Sequence, residues 1–196
     1  MPRRIVVIQG HPDSSEHHLC HALADAYAEG ARQGGHEVRL VAVAELDFPL
    51  LRSAKAWNSA EVIADIQNAQ DTVAWADHLV ILYPLWLGTM PAILKAFLEQ
   101  LFRPGFAFSR EKSSGAMGRK LLIGKSARII VTMGMPALFY RWFFRAHSLK
   151  SLERNILKFV GIRPVRTTLL GLVEGVSAGR CERWLSRART LGRQAL

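Results

Sequence analysis

Short apolar segments alternate with helix-length segments along most of the 196-residue chain. The apolar segments are rich in β-branched residues, which is typical of buried strands, and the segments between them carry apolar residues at helical spacing. The expected strands are 5–8, 38–43, 79–83, 129–133 and 167–171, and the expected helices are 18–34, about 60–74, one from Pro91 to just before Pro104, and 178–194. This alternation predicts an α/β fold, a doubly wound sheet of five parallel strands with helices on both faces.

The length of the chain predicts a single domain over residues 1–196. Two segments depart from the alternation: an extended polar loop at about 103–124 and an aromatic, basic and helical region at about 138–159. No apolar run approaches the roughly 20 residues of a membrane span, and no signal segment precedes the first strand. Two distant cysteines favour reduced thiols. We therefore expect a cytoplasmic protein.

The formal net charge of +10 restricts the partners. Such an excess is compatible with nucleic acid, an anionic membrane surface or an anionic cofactor. No nucleic-acid recognition motif accompanies the charge, so we predict no nucleic-acid partner. The aromatic and basic region combines Trp142 and Phe143 with Arg141 and Arg145. It is compatible with a dimer interface that has a solvated basic rim, and also with peripheral contact to a membrane or a transporter partner.

Ligands of doubly wound sheets lie at the carboxyl ends of the strands, so the loop after each strand is informative. The first loop runs from Gly10 to His18 and opens into a helix, where free N–H groups, hydroxyls and imidazoles suit a phosphate. The alternative is an ordinary helix cap by Ser14 or Ser15. His17 and His21 have the i, i+4 spacing of some metal ligands, but no accompanying carboxylate pattern supports that interpretation, and we predict no metal site.

The loops after the third and fourth strands are apolar. Residues 83–91 place Trp86 between two prolines, which predicts a rigid apolar wall with exposed backbone N–H groups, suited to a flat heteroaromatic ring. The alternative is that Trp86 and Leu87 belong to the core. Residues 132–136 include Gly134, which allows the backbone to approach a ring edge closely. Together the three loops describe the phosphate, the ring wall and the ring edge of a flavin site.

Three strings of this sequence resemble the NAD(P)H:quinone oxidoreductase (DT-diaphorase-like) family, which includes bacterial modulators of drug activity and the ancillary oxidoreductases of potassium efflux systems. They are Gly10-His11, the stretch from Tyr83-Pro84-Leu85-Trp86 to Met90-Pro91-Ala92-Ile93-Leu94-Lys95, and Gly105-Phe106-Ala107-Phe108. The resemblance implies a flavodoxin-like sheet of order 2-1-3-4-5 and a homodimer. It also implies ping-pong hydride transfer from NADPH or NADH, through bound FAD or alternatively FMN, to a quinone-like acceptor.

The resemblance also implies roles for individual residues. It assigns the phosphate contacts to His11, His17, His18, Leu19 and Cys20. It assigns the ring contacts to Pro84, Leu85, Trp86, Leu87 and Gly88, and the contacts with the pyrimidine edge to Thr132, Met133, Gly134 and Met135. Tyr140 corresponds to a family tyrosine beside the flavin and is the expected catalytic residue, and His147 is a candidate for a family histidine that assists proton movement. An alternative function is a cytosolic regulatory or ancillary subunit of a membrane transporter that shares this fold.

Overall fold

The computed structural model describes residues 1–59, 61–109 and 119–196. Five parallel strands form its sheet: β1 (Arg4–Gln9), β2 (Glu37–Ala42), β3 (His78–Pro84), β4 (Ser126–Met133) and β5 (Val165–Gly171). Their order is β2-β1-β3-β4-β5, which confirms the expected topology. Val7 lies between Leu40 and Val80, so the order reverses direction at the centre of the sheet, beside β1 and β3.

Helices cover both faces of the sheet. The principal ones are α1 (Leu19–Gln33), α3 (Ala64–Trp75), α4 (Ala92–Leu101) and α8 (Ala178–Arg193). A short helix, α2 (Ala54–Asn58), was not expected from the sequence. Its N-cap Ser53 accepts a hydrogen bond from the Ala56 N–H at 3.0 Å, and its five residues are too few for a helical period to be recognised. None of the helices in the described ranges has both the length and the apolar character that crossing a membrane requires.

The two faces of the sheet bury two separate apolar cores. One packs Val6, Ile8 and Tyr83 against α3 and α4, and the other packs Ile5 and Val7 against α1 and α8. Period-two alternation along a strand sends successive side chains to opposite faces, which explains how one apolar run serves both cores. In the second core α1 and α8 approach so closely that a Cβ on Gly30 would overlap the backbone of Arg189.

β4 begins three residues earlier than expected, at Ser126. The sequence hides this start because Arg128 interrupts the apolar run. In the fold Arg128 is buried, and its guanidinium donates to the Thr168 hydroxyl at 2.7 Å and to the backbone oxygen of Leu196. A buried charge is tolerated when its donors find partners, and here they do.

The aromatic and basic region expected at about 138–159 is helical, and its helical structure is broken once. α5 (Ala137–Trp142) ends before Arg145 and Ala146, which both adopt left-handed backbone conformations. A second helical stretch follows as α6 (His147–Lys150), a π-helical turn (Ser151–Leu157) and α7 (Lys158–Val160). Helical spacing in the sequence continues across this break, so it does not reveal it.

The expected loop at about 103–124 falls partly outside the described residues, namely at 110–118. Its first residue is not a solvated loop residue, because Arg103 is buried and donates to the backbone oxygens of Ala56, Ser59 and Glu61. This guanidinium holds the connection after α2 against the end of α4.

Candidate functional site

Three loops meet at the carboxyl edge of the central strands. The Gly10 N–H donates to the Leu82 carbonyl at 2.8 Å, and the Leu85 N–H donates to the Thr132 carbonyl at 2.7 Å. The rings of His11 and Trp86 lie edge to face with centroids 6.0 Å apart. These contacts follow from the strand order, which makes β3 the neighbour of both β1 and β4. The loops that the sequence singled out therefore form one continuous site.

The first loop is organised around Asp13. Its carboxylate accepts hydrogen bonds from the Ser15 N–H at 2.8 Å, the Ser15 hydroxyl at 2.6 Å and His18 Nε2 at 2.8 Å. These contacts, with the Ser15 hydroxyl first, hold the pKa of Asp13 well below its usual range. Neither serine caps α1, because His18 is the N-cap residue and its N–H donates to His21 Nδ1 at 3.1 Å. The alternative of a serine cap is therefore wrong.

Three imidazoles surround the start of α1. His11 stacks on His18 with centroids 4.1 Å apart, and His21 lies 5.2 Å from His11. Burial, the largest cause, lowers the pKa of His11, and burial likewise lowers the pKa of His21. His17 is exposed, with its Nε2 at 3.1 Å from Asp25. A bound anion would offset the desolvation of the buried imidazoles by stabilising their charged forms.

One group of possible metal ligands lies in the same loop. Asp13, Glu16 and His18 each offer an atom within 4.8 Å of the others. This is not the His17 and His21 pair that the sequence raised. Because Asp13 is already engaged by Ser15 and His18, we assign this group to loop structure.

The second loop forms a tight, strained turn. Trp86 and Thr89 exchange two backbone hydrogen bonds of 2.9 and 3.0 Å across Leu87 and Gly88. Both central residues have positive φ, 45° for Leu87 and 78° for Gly88. Leu87 is fully exposed and Trp86 is 50% exposed, so the alternative that they belong to the core is wrong. Pro84 and Leu85 are half-buried beneath them. The turn thus presents an apolar wall to solvent at the edge of the sheet.

The third loop presents its backbone. Thr132 and Met133 are buried, whereas Gly134 is exposed and Met135 half-buried. The Thr132 hydroxyl lies 3.2 Å from the Cys20 sulfur in the first turn of α1, next to half-buried Leu19. Burial raises the pKa of the Cys20 thiol to about 11, so this cysteine is a structural contact between loops.

A fourth loop, after β5, also belongs to the site and was missed by the sequence interpretation. The Leu172 N–H donates to the Met135 carbonyl at 3.1 Å, and the Val173 N–H donates to the Met133 carbonyl at 3.2 Å. The carboxylate of Glu174 would lie 2.6 Å from a Cβ added to Gly134. The rule that ligands lie beyond the carboxyl ends of strands also applies to β5, and it was the signal available in the sequence.

Tyr140 lies behind the third loop. Its side chain is 1% exposed, and its hydroxyl lies 2.7 Å from the Ser148 hydroxyl and accepts the Leu149 N–H at 3.2 Å. These bonds join α5 to α6 across the break at Arg145 and Ala146. His147 is exposed on the first turn of α6.

A cavity of about 450 Å³ opens on the outer side of the Trp86 turn. Its lining joins the apolar turn to α4 and to the second helical stretch, and comprises Trp86, Leu87, Thr89, Met90, Pro91, Ala92, Lys95, Ser148, Ser151 and Ile156. Its size falls within the range of small-molecule pockets.

The residues present fit a flavin mononucleotide in their chemistry. Exposed apolar side chains at the Trp86 turn suit a flat ring. The exposed backbone at Gly134 suits the polar edge of that ring, and imidazoles at the start of α1 suit a phosphate. A Cβ on Gly134 would lie 2.6 Å from the end of the Glu174 side chain, so a larger residue there would require that carboxylate to move.

Comparisons with known proteins identify relatives of this chain. A Haemophilus influenzae protein named as an uncharacterized NAD(P)H oxidoreductase is 29% identical over 170 residues, which cover 85% of this chain and 82% of that protein. An FMN-dependent NADH:quinone oxidoreductase of Nitratidesulfovibrio vulgaris (strain DP4) is 26% identical over 207 residues, covering 91% of this chain and 93% of that protein. Three relatives named ribosyldihydronicotinamide dehydrogenase, or like it, match over 57% to 63% of their own length.

Among solved structures, an NAD(P)H:quinone oxidoreductase from Methanothermobacter marburgensis superposes with a TM-score of 0.83 over 100% of this chain and 98% of that one, at 20% identity. This likeness shows the fold. The model of the Flavodoxin_2 family, described as a flavodoxin-like fold, matches residues 3–190. The match spans all five strands and the loops of the site, and the chain therefore belongs to the Flavodoxin_2 family.

Proposed function

We propose that this chain is a flavin-dependent NAD(P)H oxidoreductase that reduces a quinone-like acceptor, with its flavin held at the carboxyl edge of β1, β3 and β4. The observation that carries the proposal is the junction of the three loops through the His11–Trp86 ring contact and the Leu85–Thr132 hydrogen bond. When bound, the flavin supplies the group that accepts hydride from NAD(P)H and passes it to the acceptor. Relatives that match most of the chain are named NAD(P)H or NADH:quinone oxidoreductases, which supports the same class.

We take FMN as the flavin in preference to FAD, because a relative that covers nearly the whole chain is named FMN-dependent. Its phosphate would lie at the N-terminus of α1, near the His11 and His18 imidazoles. The dipole of a 15-residue helix and its first free N–H groups favour an anion there. His17 faces Asp25, so in this proposal it has a smaller part than the other two histidines.

The Trp86 turn would hold the ring. Leu87 and Trp86 supply apolar surface, and the left-handed backbone at Leu87 and Gly88 fixes the direction of the nearby N–H groups. On the opposite side, the backbone at Gly134 and Met135 would face the pyrimidine edge, where negative charge increases on reduction. Backbone donors placed there would stabilise that charge.

The 450 Å³ cavity beside the Trp86 turn is the acceptor site in this proposal. Its lining is mostly apolar, with Thr89, Lys95 and two serines as polar groups, which suits a flat quinone with carbonyl oxygens. Ser148 connects this cavity to Tyr140 through their 2.7 Å hydrogen bond. Because the Tyr140 phenol is buried, we assign it a positioning role: it holds Ser148 and the start of α6 in place.

A second copy of the chain would cover the aromatic cluster of Phe139, Phe143 and Phe144. Phe139 and Phe143 stack with centroids 4.8 Å apart, and all three rings are exposed. Phe97 and Phe102 of the neighbouring α4 segment are buried inside the chain and contribute no exposed surface to such an interface. The cluster alone therefore carries the dimer proposal, and sedimentation of a Phe143→Ser variant as a monomer, with the parent as a dimer, tests it.

The cofactor test uses two glycines with the same left-handed φ, at which any other residue would be strained. Gly88 and Gly35 both have φ of 78°, and a Cβ on either would meet nothing within 4 Å. Gly88→Val and Gly35→Val thus cost similar stability, but only Gly88 lies at the proposed ring site. We expect the purified parent to be yellow and to release FMN on denaturation, identified by its mass, and Gly88→Val to lose the flavin while Gly35→Val retains it. A folded parent that binds neither FMN nor FAD at micromolar concentration would refute the proposal.

A further inference from the structure

A groove of about 920 Å³ lies between α5, the helical stretch after it and the edge strand β5. It is separate from the acceptor cavity, since the two share no lining residue. Leu138, Arg141 and Trp142 of α5 line one side together with Arg145 in the break after α5, and Thr167 to Leu169 of β5 form the floor. The aromatic cluster of Phe139, Phe143 and Phe144 does not line this groove.

The groove is lined by four cations and one carboxylate, that of Glu153. Arg141, Arg145, Lys150 and Arg187 all face it, and none forms an ion pair with a residue in the described part of the chain. Glu153 pairs with Lys158, which does not line the groove.

Elsewhere in the described part of the chain, four lysines and arginines form ion pairs with carboxylates: Arg4, Lys95, Lys158 and Arg189. Arg189 pairs with both Glu29 and Glu182 at 3.0 Å, and Arg4 pairs with Asp77 at 2.8 Å. Four unpaired cations around one concave surface therefore favour a polyanionic ligand, because guanidinium groups bind phosphate oxygens in fork geometry.

The other lining groups favour a nucleotide among polyanions. Trp142 is 76% exposed, and an exposed indole offers a face on which a base stacks. The exposed Thr167 supplies a hydroxyl at the floor. The volume of the groove suits a ligand of nucleotide size rather than an extended polymer.

The groove begins directly beside the proposed flavin site. Its first lining residue, Ala137, starts α5 three residues after Gly134, and the backbone of Ala137 packs against Gly171 at the end of β5. A dinucleotide whose nicotinamide reached the ring site would thus have its other half within reach of these cations.

We infer that this groove binds the adenosine 2′,5′-bisphosphate half of NADPH, so that NADPH rather than NADH is the electron donor. The inference rests on the proposed function, because the donor is part of that function, but the groove is separate from the proposed flavin and acceptor sites. The 2′-phosphate adds roughly 1.5 to 2 negative charges near pH 7, and four unpaired cations are more than the diphosphate of NADH requires. Phosphate recognition by the four cations would therefore discriminate between the two donors.

The binding test uses adenosine 2′,5′-bisphosphate alone, titrated calorimetrically into the flavin-loaded protein. We expect Arg187→Gln and Arg141→Gln each to weaken binding about tenfold, the effect of losing one charge-assisted hydrogen bond. The matched control is Arg183→Gln, which removes the same charge from an exposed position on α8 outside the groove and should leave binding unchanged. Equal affinity in Arg187→Gln and Arg183→Gln would overturn the inference.

Kinetics separates this inference from the proposed function. A phosphate-free donor, N-benzyl-dihydronicotinamide, reports on the flavin site without the groove. We expect the preference for NADPH over this donor to fall about tenfold in Arg187→Gln. If the parent showed no turnover with either donor, the proposed function would be wrong. Calorimetry would still test whether the groove binds the nucleotide. Equal use of NADH and NADPH by the parent, or pelleting with anionic vesicles in place of nucleotide binding, would refute the groove assignment.

Discussion

Gly171 is the position at which a single methyl group should most directly disturb the site. It ends β5, and a Cβ added there would lie 2.7 Å from the Met135 carbonyl oxygen and 3.1 Å from the Pro136 carbonyl carbon. Ordinary carbon contacts are about 3.5 to 4.0 Å, so the loop after β4 has to move by several tenths of an ångström or more. The contacted atoms all belong to the backbone, so no side-chain rotation can relieve the contacts.

The cost of Gly171→Ala follows from these contacts. Overpacking of a filled site costs about 1 to 3 kcal/mol. The displaced loop also strains the Leu172–Met135 and Val173–Met133 hydrogen bonds, and losing one costs about 1 kcal/mol. We therefore expect a loss of roughly 2 to 4 kcal/mol in the free energy of unfolding. For a chain of this size that corresponds to a fall in Tm of about 4 to 16 °C. FMN affinity should fall with it, because the same loop faces the ring edge in the proposed site.

Chemical denaturation and FMN titration of Gly171→Ala measure the two effects. Gly179→Ala is the control, since Gly179 lies in the first turn of α8 and a Cβ there would approach only the Arg183 guanidinium, at 4.0 Å. Alanine is the better helix former, so this variant should be neutral or gain up to about 1 kcal/mol. If Gly171→Ala unfolded within about 0.5 kcal/mol of the parent and bound FMN equally well, the reasoning on close backbone approach would be wrong.

Three further predictions concern side chains of the site. Burial holds the pKa of His11 below 6.5 in the free protein and a bound phosphate would raise it, so FMN binding should take up protons. Its affinity, measured by fluorescence titration, should rise as pH falls from about 8 to about 6, and His11→Asn should flatten the profile. Leu87→Gly should relieve left-handed strain and stabilise the fold by about 1 kcal/mol in denaturant, yet weaken FMN binding; unchanged FMN affinity would argue against a ring wall there. Tyr140→Phe should lose about 1 to 2 kcal/mol of stability, while its turnover stays close to that of the parent. Turnover slowed by about two orders of magnitude without a change in stability would instead indicate a catalytic phenol.

The sequence predicts the parts of this molecule that depend on local pattern. Runs such as 5–8 and 79–83 are apolar on both sides, which requires a sheet covered on both faces, and the family resemblance adds the strand order. The positions of Trp86 and Gly134 follow once the strands are placed, because parallel strands end at the same edge.

The features that the sequence does not reveal depend on distant contacts. The start of β4 is hidden because Arg128 looks like a loop residue until Thr168 and the Leu196 backbone supply its partners. The break after Trp142 is hidden because nothing in the side chains of Arg145 and Ala146 requires a left-handed backbone. The burial of Tyr140 likewise depends on Ser148 and Leu149, which fold back onto it only after that break.

Most non-glycine residues with a strained backbone in the described part of the chain lie around the proposed sites. Five non-glycine residues there have positive φ, and four of them, Leu87, Arg145, Ala146 and Leu172, border the flavin edge or the basic groove. Such conformations cost about 1 to 3 kcal/mol each and persist where neighbouring structure enforces them. Leu87 and Leu172 also expose their apolar side chains, a second unfavourable feature at the same positions. A ligand that covers these side chains would remove the cost of their exposure and so offset part of the strain, which a relaxed loop without the ligand would not carry.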